Sequence, residues 1–327
     1  MNHPNQRILF LFPGQGSQYL GMGQDLYQAY DCVRQTYQEA SEILGYDMAA
    51  LSFDDPQEHI HLTRYTQPAL LTHSVACLRV FQELLARPML AEASAGHSLG
   101  EYTALVAAGA LEFKTALNLV HHRGTLMGDH GAGEMEALSL GLKEAELLAE
   151  KHLCSIAACN LPDQTVVGGL SEDLDNLVDE LTEQFPSKRS SRLKTEGAFH
   201  TYYMVEAARR FRFILDKAPL ISPQIRVLSN YTGGFHDDDP LIIKSRLFWQ
   251  LTNPVRWHEN LITALGSGLN TFVEFGGGIG KGDTPADKKP NLAAIIKKAT
   301  RKADMPPTYH AVINCDTLLE TASLFSE

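Results

Sequence analysis

The run Gly96-His97-Ser98-Leu99-Gly100-Glu101 constrains this chain more than any other segment. Two glycines bracket a serine, each separated from it by one residue, which is the spacing of a nucleophile elbow. Such a serine sits on a strained turn that leaves a strand and enters a helix. The flanking glycines permit that turn because they carry no Cβ. The neighbours suit it: Ser94 and Ala95 precede the run, and a helical stretch over 102–109 follows. In this setting the serine hydroxyl stands exposed at a helix N-terminus. The N–H of Leu99 then points at an oxyanion developing on the attacked carbonyl.

The rest of the pattern agrees with an α/β sheet. Residues 7–12 (RILFLF) predict a short buried strand, ended by Pro13. A glycine-rich turn follows, then a helix over 24–46 with Leu26, Ala29, Val33, Tyr37 and Ala40 at helical spacing. Helices are expected at 67–87 and, in two pieces separated near 109–113, over 101–128. The texture changes near Gly131. From there the chain predicts strand 136–142, helix 143–151, strands 155–160 and 164–169, helix 170–184 and strand 190–193. That βαββαβ order is the ferredoxin-like pattern. It predicts a small subdomain at 131–195 inserted into a large one made of 1–130 and 196–327. Afterwards come helix 202–217, strand 224–229, helical stretches 245–250 and 258–266, strand 271–275, a loop over 276–291, helix 292–302 and strand 309–314.

Composition narrows the class. The 327 residues carry 28 basic and 39 acidic side chains, a net charge of -11. That balance argues against a nucleic-acid binder, which needs a basic surface. Five cysteines, Cys32, Cys77, Cys154, Cys159 and Cys315, are odd in number and scattered. They form no disulfide framework and fit a reducing compartment, most simply the cytoplasm. Cys154 and Cys159 have no second Cys/His pair at ligand spacing, so no metal site is expected. No apolar run approaches the roughly 20 residues of a membrane span. The N-terminal stretch lacks the apolar length of a signal peptide.

A serine needs a base to become a nucleophile at neutral pH. His200, in Gly197-Ala198-Phe199-His200-Thr201, lies where the inserted unit rejoins the main body, and sites form at such junctions. His121 and His122 fall inside a helix and are less well placed. The segment Pro13-Gly14-Gln15-Gly16-Ser17-Gln18 follows the first strand. Its glycines, with Gly21, miss the G-x-G-x-x-G spacing of a dinucleotide loop. A tight turn that offers the Gln15 N–H to a ligand explains the same residues. A P-loop at 276–282 fails as well, because Gly282 stands where Ser or Thr is required.

Taken together, LFPGQGSQYLGMG (11–23), GHSLGEYTALVAAGAL (96–111), HRGTLM (122–127), GAFHTYYM (197–204), SNYTG (229–233) and QLTNPVRW (250–257) resemble the malonyl-CoA:acyl-carrier-protein transacylase family, in the same order along the chain. The likeness spans about residues 7–275. It implies a large α/β-hydrolase-like subdomain with the small ferredoxin-like one. It also implies a ping-pong transfer of malonyl from malonyl-CoA to an acyl carrier protein, with no bound cofactor and the coenzyme A thioester as substrate. Carried over by position, Ser98 is the nucleophile and His200 the base, later the acid. Gln250 holds the imidazole through its main-chain carbonyl. The N–H groups of Gln15 and Leu99 form the oxyanion hole. Arg123 pairs with the free carboxylate of malonate, a task that suits a guanidinium fork. His97 and Asn160 line the pocket, and the bulk of Phe199 favours malonyl over methylmalonyl.

Some positions depart from the family. Gly276-Gly277-Gly278 replaces the usual Gly-Pro-Gly, the loop after it is longer, and Glu134 stands where small apolar residues are usual. A carrier protein is acidic, so docking calls for local basic patches. Candidates are Lys188, Arg189, Arg192 and Lys194, or Lys281, Lys288 and Lys289. Three other functions remain open on sequence alone. One is an acyl hydrolase of the same fold that clears carrier proteins. Another is a conventional esterase with His258 or His310 as base. The last is a non-catalytic scaffold that binds carrier proteins.

Overall fold

The computed structural model describes residues 6–301 and 305–325. From the N-terminal side, β1 (Ile8–Phe12) leads through the glycine-rich turn to α1 (Gln24–Ala29), α2 (Asp31–Leu44), α3 (Met48–Phe53) and α4 (Thr63–Leu84). Next come β2 (Ala93–Gly96), α5 (Gly100–Ala107) and α6 (Phe113–His130). A second group follows: β3 (Glu134–Leu138), α7 (Leu142–Lys151), β4 (Ser155–Leu161), β5 (Gln164–Gly169), α8 (Ser171–Gln184) and β6 (Ser190–Leu193). The chain then returns with α9 (Val205–Leu215), β7 (Arg226–Val227), α10 (Pro240–Gln250), α11 (Trp257–Gly266), β8 (Thr271–Phe275), α12 (Ala293–Ala299), β9 (Thr308–Val312) and α13 (Cys315–Phe325).

The strands form two separate sheets. One is parallel, in the order β7-β2-β1-β8-β9. Its middle strand β1 reads ILFLF without alternation, and all five residues are buried. A strand covered by helices on both faces has this continuous apolar character. The other sheet is antiparallel, in the order β4-β5-β3-β6. Its two faces differ, as the two-residue period of a strand requires. Val167 packs with Leu138, Leu148, Leu174 and Leu177 beneath α7 and α8. Its neighbour Val166, with Met135 and Ala158, joins the main core instead. The antiparallel sheet therefore presents an apolar face to the parallel one.

Several boundaries differ from the sequence pattern for local reasons. The single helix expected over 24–46 is two, because Tyr30 is extended (φ -129°, ψ 131°) between α1 and α2. The expected strand 224–229 shortens to Arg226–Val227. Beyond Leu228 the chain folds into a turn, with Ser229 N donating to the Gly234 carbonyl and Gly233 N to that of Ser229. Helix α10 begins earlier than 245, where Asp239 accepts from Leu241 N at 2.8 Å and Pro240 occupies the first turn. Helices α3 and α13 were not expected from the pattern. Helix α12 ends at Ala299, and Lys302, the last residue of the expected helix, lies outside the described residues.

Candidate active site

The elbow depends on its glycines. A Cβ on Gly96 would lie 1.9 Å from the Gly100 carbonyl carbon, and one on Gly100 would lie 2.3 Å from the Phe12 carbonyl oxygen. The turn is therefore packed against itself and against the end of β1. Ser98 adopts φ 53°, a left-handed backbone that a non-glycine residue enters at a cost of about 1–2 kcal/mol. Asn230 holds it there from both sides. Its Oδ1 accepts from Ser98 N at 2.7 Å, and its Nδ2 donates to the Gly96 carbonyl at 2.7 Å.

His200 comes from the segment between β6 and α9 and is also left-handed, with φ 63°. Its Nδ1 donates to the main-chain carbonyl of Gln250 at 2.7 Å, which fixes the tautomer. Its Nε2 is then the free acceptor, 2.7 Å from Ser98 Oγ. The ring is buried, and burial, helped by the nearby Arg123 charge, pushes its pKa down to about 3. The Gln250 carbonyl opposes that shift. The imidazole is thus neutral at physiological pH and able to accept the serine proton. His258 and His310, the alternative bases, make no hydrogen bond to Ser98 among the described residues.

Arg123, on α6, is completely buried. Its Nη2 donates to Ser98 Oγ at 3.1 Å and to Gln250 Oε1 at 3.0 Å, while Nη1 donates to Gln67 Oε1 at 2.9 Å. Burial pulls its pKa below the ordinary arginine value, but a guanidinium stays charged. The nearest carboxylate is one residue removed. Gln250 Nε2 donates to Glu101 Oε2 at 2.8 Å, so the Gln250 amide stands between the cation and the anion.

A cavity of about 560 Å³ opens onto Ser98 and His200. Gln15, His97, Asn160 and Phe199 line it, along with Met135, Val166 and Leu193 from the antiparallel sheet. His97 Nε2 donates to Asn160 Oδ1 at 2.9 Å, tying the two sheets together across the cavity wall. Burial lowers the His97 pKa, so this ring too is neutral. Gly14 lies against the elbow: a Cβ there would be 2.5 Å from the His97 carbonyl oxygen. The turn after β1 is thereby pressed beside Ser98. Among the described residues, neither Gln15 N nor Leu99 N donates to another protein group, and both remain available to a ligand.

The structure brings together Ser98, His200, Gln250 and Arg123 in direct contact, and His97, Asn160, Phe199 and Gln15 around them. Both basic clusters lose their centres. Arg192 is held by Glu134, by Glu136 at 2.7 Å and by Asp175 at 2.7 Å. Lys288 donates to the carbonyls of Gly280 and Gly282 in its own loop. Lys194 lines the cavity instead. Three participants carried no assigned role in the sequence: Gln67, Glu101 and Asn230. Glu101 and Asn230 sit inside the recognised runs GHSLGE and SNYTG, but their partners are 129 and 132 positions away in the chain.

Known proteins resemble this chain along most of its length. Residues 9–276 match the acyl transferase domain family. The malonyl CoA-acyl carrier protein transacylase of Bacillus subtilis strain 168 is 36% identical over 307 residues, covering 90% of this chain and 91% of that one. A polyketide biosynthesis malonyl CoA-acyl carrier protein transacylase of Bacillus velezensis is 36% identical, covering 83% and 93%. Among solved structures, the malonyl CoA-acyl carrier protein transacylase of Coxiella burnetii superposes with a TM-score of 0.88 at 33% identity, covering 99% of each chain. A malonyl-transacylase in complex with its type II polyketide acyl-carrier protein superposes with a TM-score of 0.86 at 32% identity, covering 98% of this chain and all of that one.

Proposed function

The chain belongs to the acyl transferase domain family, and on that premise we propose that it moves a malonyl group from malonyl-CoA to the phosphopantetheine thiol of an acyl carrier protein through a malonyl-Ser98 intermediate. The observation that carries this reading is the pair of contacts at Ser98 Oγ together with the anchoring of its histidine. His200 Nε2 stands 2.7 Å from it and Arg123 Nη2 3.1 Å from it, while the Gln250 carbonyl fixes the histidine.

In the first half-reaction Ser98 Oγ attacks the thioester carbon as its proton passes to His200 Nε2. The tetrahedral oxyanion sits on the N–H groups of Gln15 and Leu99. The carbon–sulfur bond breaks, and the departing thiolate takes the proton back from the imidazolium to leave as coenzyme A. In the second half-reaction the carrier thiol gives its proton to His200 and attacks the malonyl-serine. Ser98 leaves with that proton. Arg123 pairs with the distal carboxylate of malonyl, exchanging its present contacts with Ser98 Oγ and Gln250 Oε1 for carboxylate oxygens. No step calls on a bound cofactor.

The site is framed by two units. Residues 1–130 and 196–327 make an α/β-hydrolase-like body, and 131–195 make a ferredoxin-like unit. The strand order β6-β3-β5-β4 and the separate core beneath α7 and α8 support that division. Free cysteines suit a cytoplasmic enzyme, and no helix among the described residues is long and apolar enough to cross a membrane.

A hydrolase would release malonate to water instead. Arg123 disfavours that role, because a clearing enzyme for uncharged acyl groups has no use for a buried cation beside its serine. The test is to load the protein with malonyl-CoA, remove free nucleotide and add carrier protein bearing its phosphopantetheine arm. The proposal predicts malonyl on the carrier. Free malonate with an unmodified carrier would establish the hydrolase.

A further inference from the structure

Glu101 lies in the first turn of α5, three residues after the serine, and is completely buried. Its Oε2 accepts from Asn230 N at 2.9 Å and from Gln250 Nε2 at 2.8 Å, and its Oε1 accepts from His236 Nε2 at 2.7 Å. Each of the first two donors belongs to the site. Asn230 grips Ser98 N and the Gly96 carbonyl. Gln250 holds His200 through its carbonyl, Arg123 through Oε1 and the Ser98 carbonyl through Nε2 at 3.0 Å. No lysine or arginine pairs directly with Glu101 among the described residues. A buried carboxylate without a lysine or arginine partner is expensive to keep, and a neutral residue would fill the same space.

We propose that Glu101 is the carboxylate of this site acting at one remove, a positioning residue that fixes Ser98 through Asn230 and His200 through Gln250. Its negative charge also opposes that of Arg123 as the His200 ring takes up a proton. A serine hydrolase places its acid directly on the histidine. Here the Gln250 carbonyl occupies that place, and the acid stands behind it. The ionisable groups around Glu101 are Arg123 on α6, Tyr102 beside it on α5, His236 after β7 and His200 before α9. Arg123 is the one fixed positive charge among them. Loss of the Glu101 charge leaves Arg123 unopposed, which disfavours imidazolium and slows acylation.

The inference rests on the acylation of Ser98, so wild-type protein is the first control: failure of malonyl-CoA to label it would sink the transfer reading itself. With that control passed, single-turnover labelling by saturating malonyl-CoA is compared for the wild type, Glu101→Gln and Glu101→Asp. The expected result is a saturating rate at least about fivefold lower for Glu101→Gln, an apparent KM within about threefold of wild type, and partial recovery in Glu101→Asp. Gln250→Met cuts the link while keeping the carbonyl. It should lower the saturating rate similarly, and the double variant should be no slower than the worse single one. Should Glu101→Gln fail to fold, Glu101→Met, which keeps the length and drops the charge, takes its place, because Gln250→Met also removes the contacts to Arg123 and to the Ser98 carbonyl. A saturating rate within fivefold of wild type for whichever variant decides, or additive losses in the double variant, would overturn the proposal.

Discussion

On the parallel-sheet side of the cavity nearly every polar group is held by another. Ser98 and His200 have left-handed backbones, and Asn230, Gln250 and Glu101 keep them there. On the antiparallel-sheet side, Met135, Val166 and Leu193 offer apolar groups beside the polar Asn160 and Lys194, and Phe199 lines the same cavity. On the proposed function, the first wall positions the reacting atoms. The second, mostly apolar, would set the volume open to an acyl group. Substitutions in the first should therefore act on rate, and substitutions in the second on which acyl group is accepted.

The sharpest break in that contrast is Ser98→Ala. Labelling by malonyl-CoA should fall by about 10⁴-fold or more, with no new adduct elsewhere. Arg123→Ala comes next. The loss of a charged bidentate partner should lower kcat/KM for malonyl-CoA about 100-fold while acetyl-CoA is accepted relatively better, measured by competitive loading. If malonyl loading is unchanged, Arg123 is no carboxylate partner. Asn230→Ala tests the strain: Ser98 N and the Gly96 carbonyl lose their partner, which costs about 1–3 kcal/mol. Both the thermal midpoint and the acylation rate should fall, the rate by about tenfold. Phe199→Ala, on the volume side, should change the malonyl-to-methylmalonyl preference by about tenfold while the malonyl rate stays close to wild type.

The smallest effect concerns pH. The His200 pKa lies near 3 in the native protein, against an ordinary value of 6.5. The imidazole therefore stays neutral as pH falls through 6.5, and with His200 as the proposed base kcat/KM for labelling should stay flat there, declining only at much lower pH. Stability moves the other way. Between 6.5 and about 3 the unfolded chain binds a proton at this position and the native chain does not, so acidification through that window destabilises the fold. His73, buried with a pKa near 4, adds to the same trend. In Arg123→Ala the acid limb should move to higher pH, because a charge that disfavours imidazolium is gone.

The two regions were not equally legible in the sequence. Ser98 stands in a run whose spacing points to a nucleophile, whereas the roles of His200 and Arg123 come chiefly from the family resemblance of the runs around them. The antiparallel sheet followed from its alternating strands and helices. Asn230 and Glu101 lay in the same recognised runs without a role, because their function is a pairing across about 130 positions that no local period records. Tyr30 broke a helix whose apolar spacing looked continuous. The basic clusters illustrate the converse. Arg192 looked free for docking, but Glu134, Glu136 and Asp175 gather around it only once β3, β6 and α8 are assembled.

On the proposed function, Ser98 carries the acyl group and a buried cation makes it selective. Intact-mass and peptide-mapping spectra of the protein, after separate incubation with malonyl-CoA and acetyl-CoA, test that claim most directly. The expected result is a single malonyl group, mapped to Ser98, that persists until a carrier thiol is supplied, and little acetyl adduct. Rapid turnover of acetyl-CoA with no malonyl on Ser98 would contradict it.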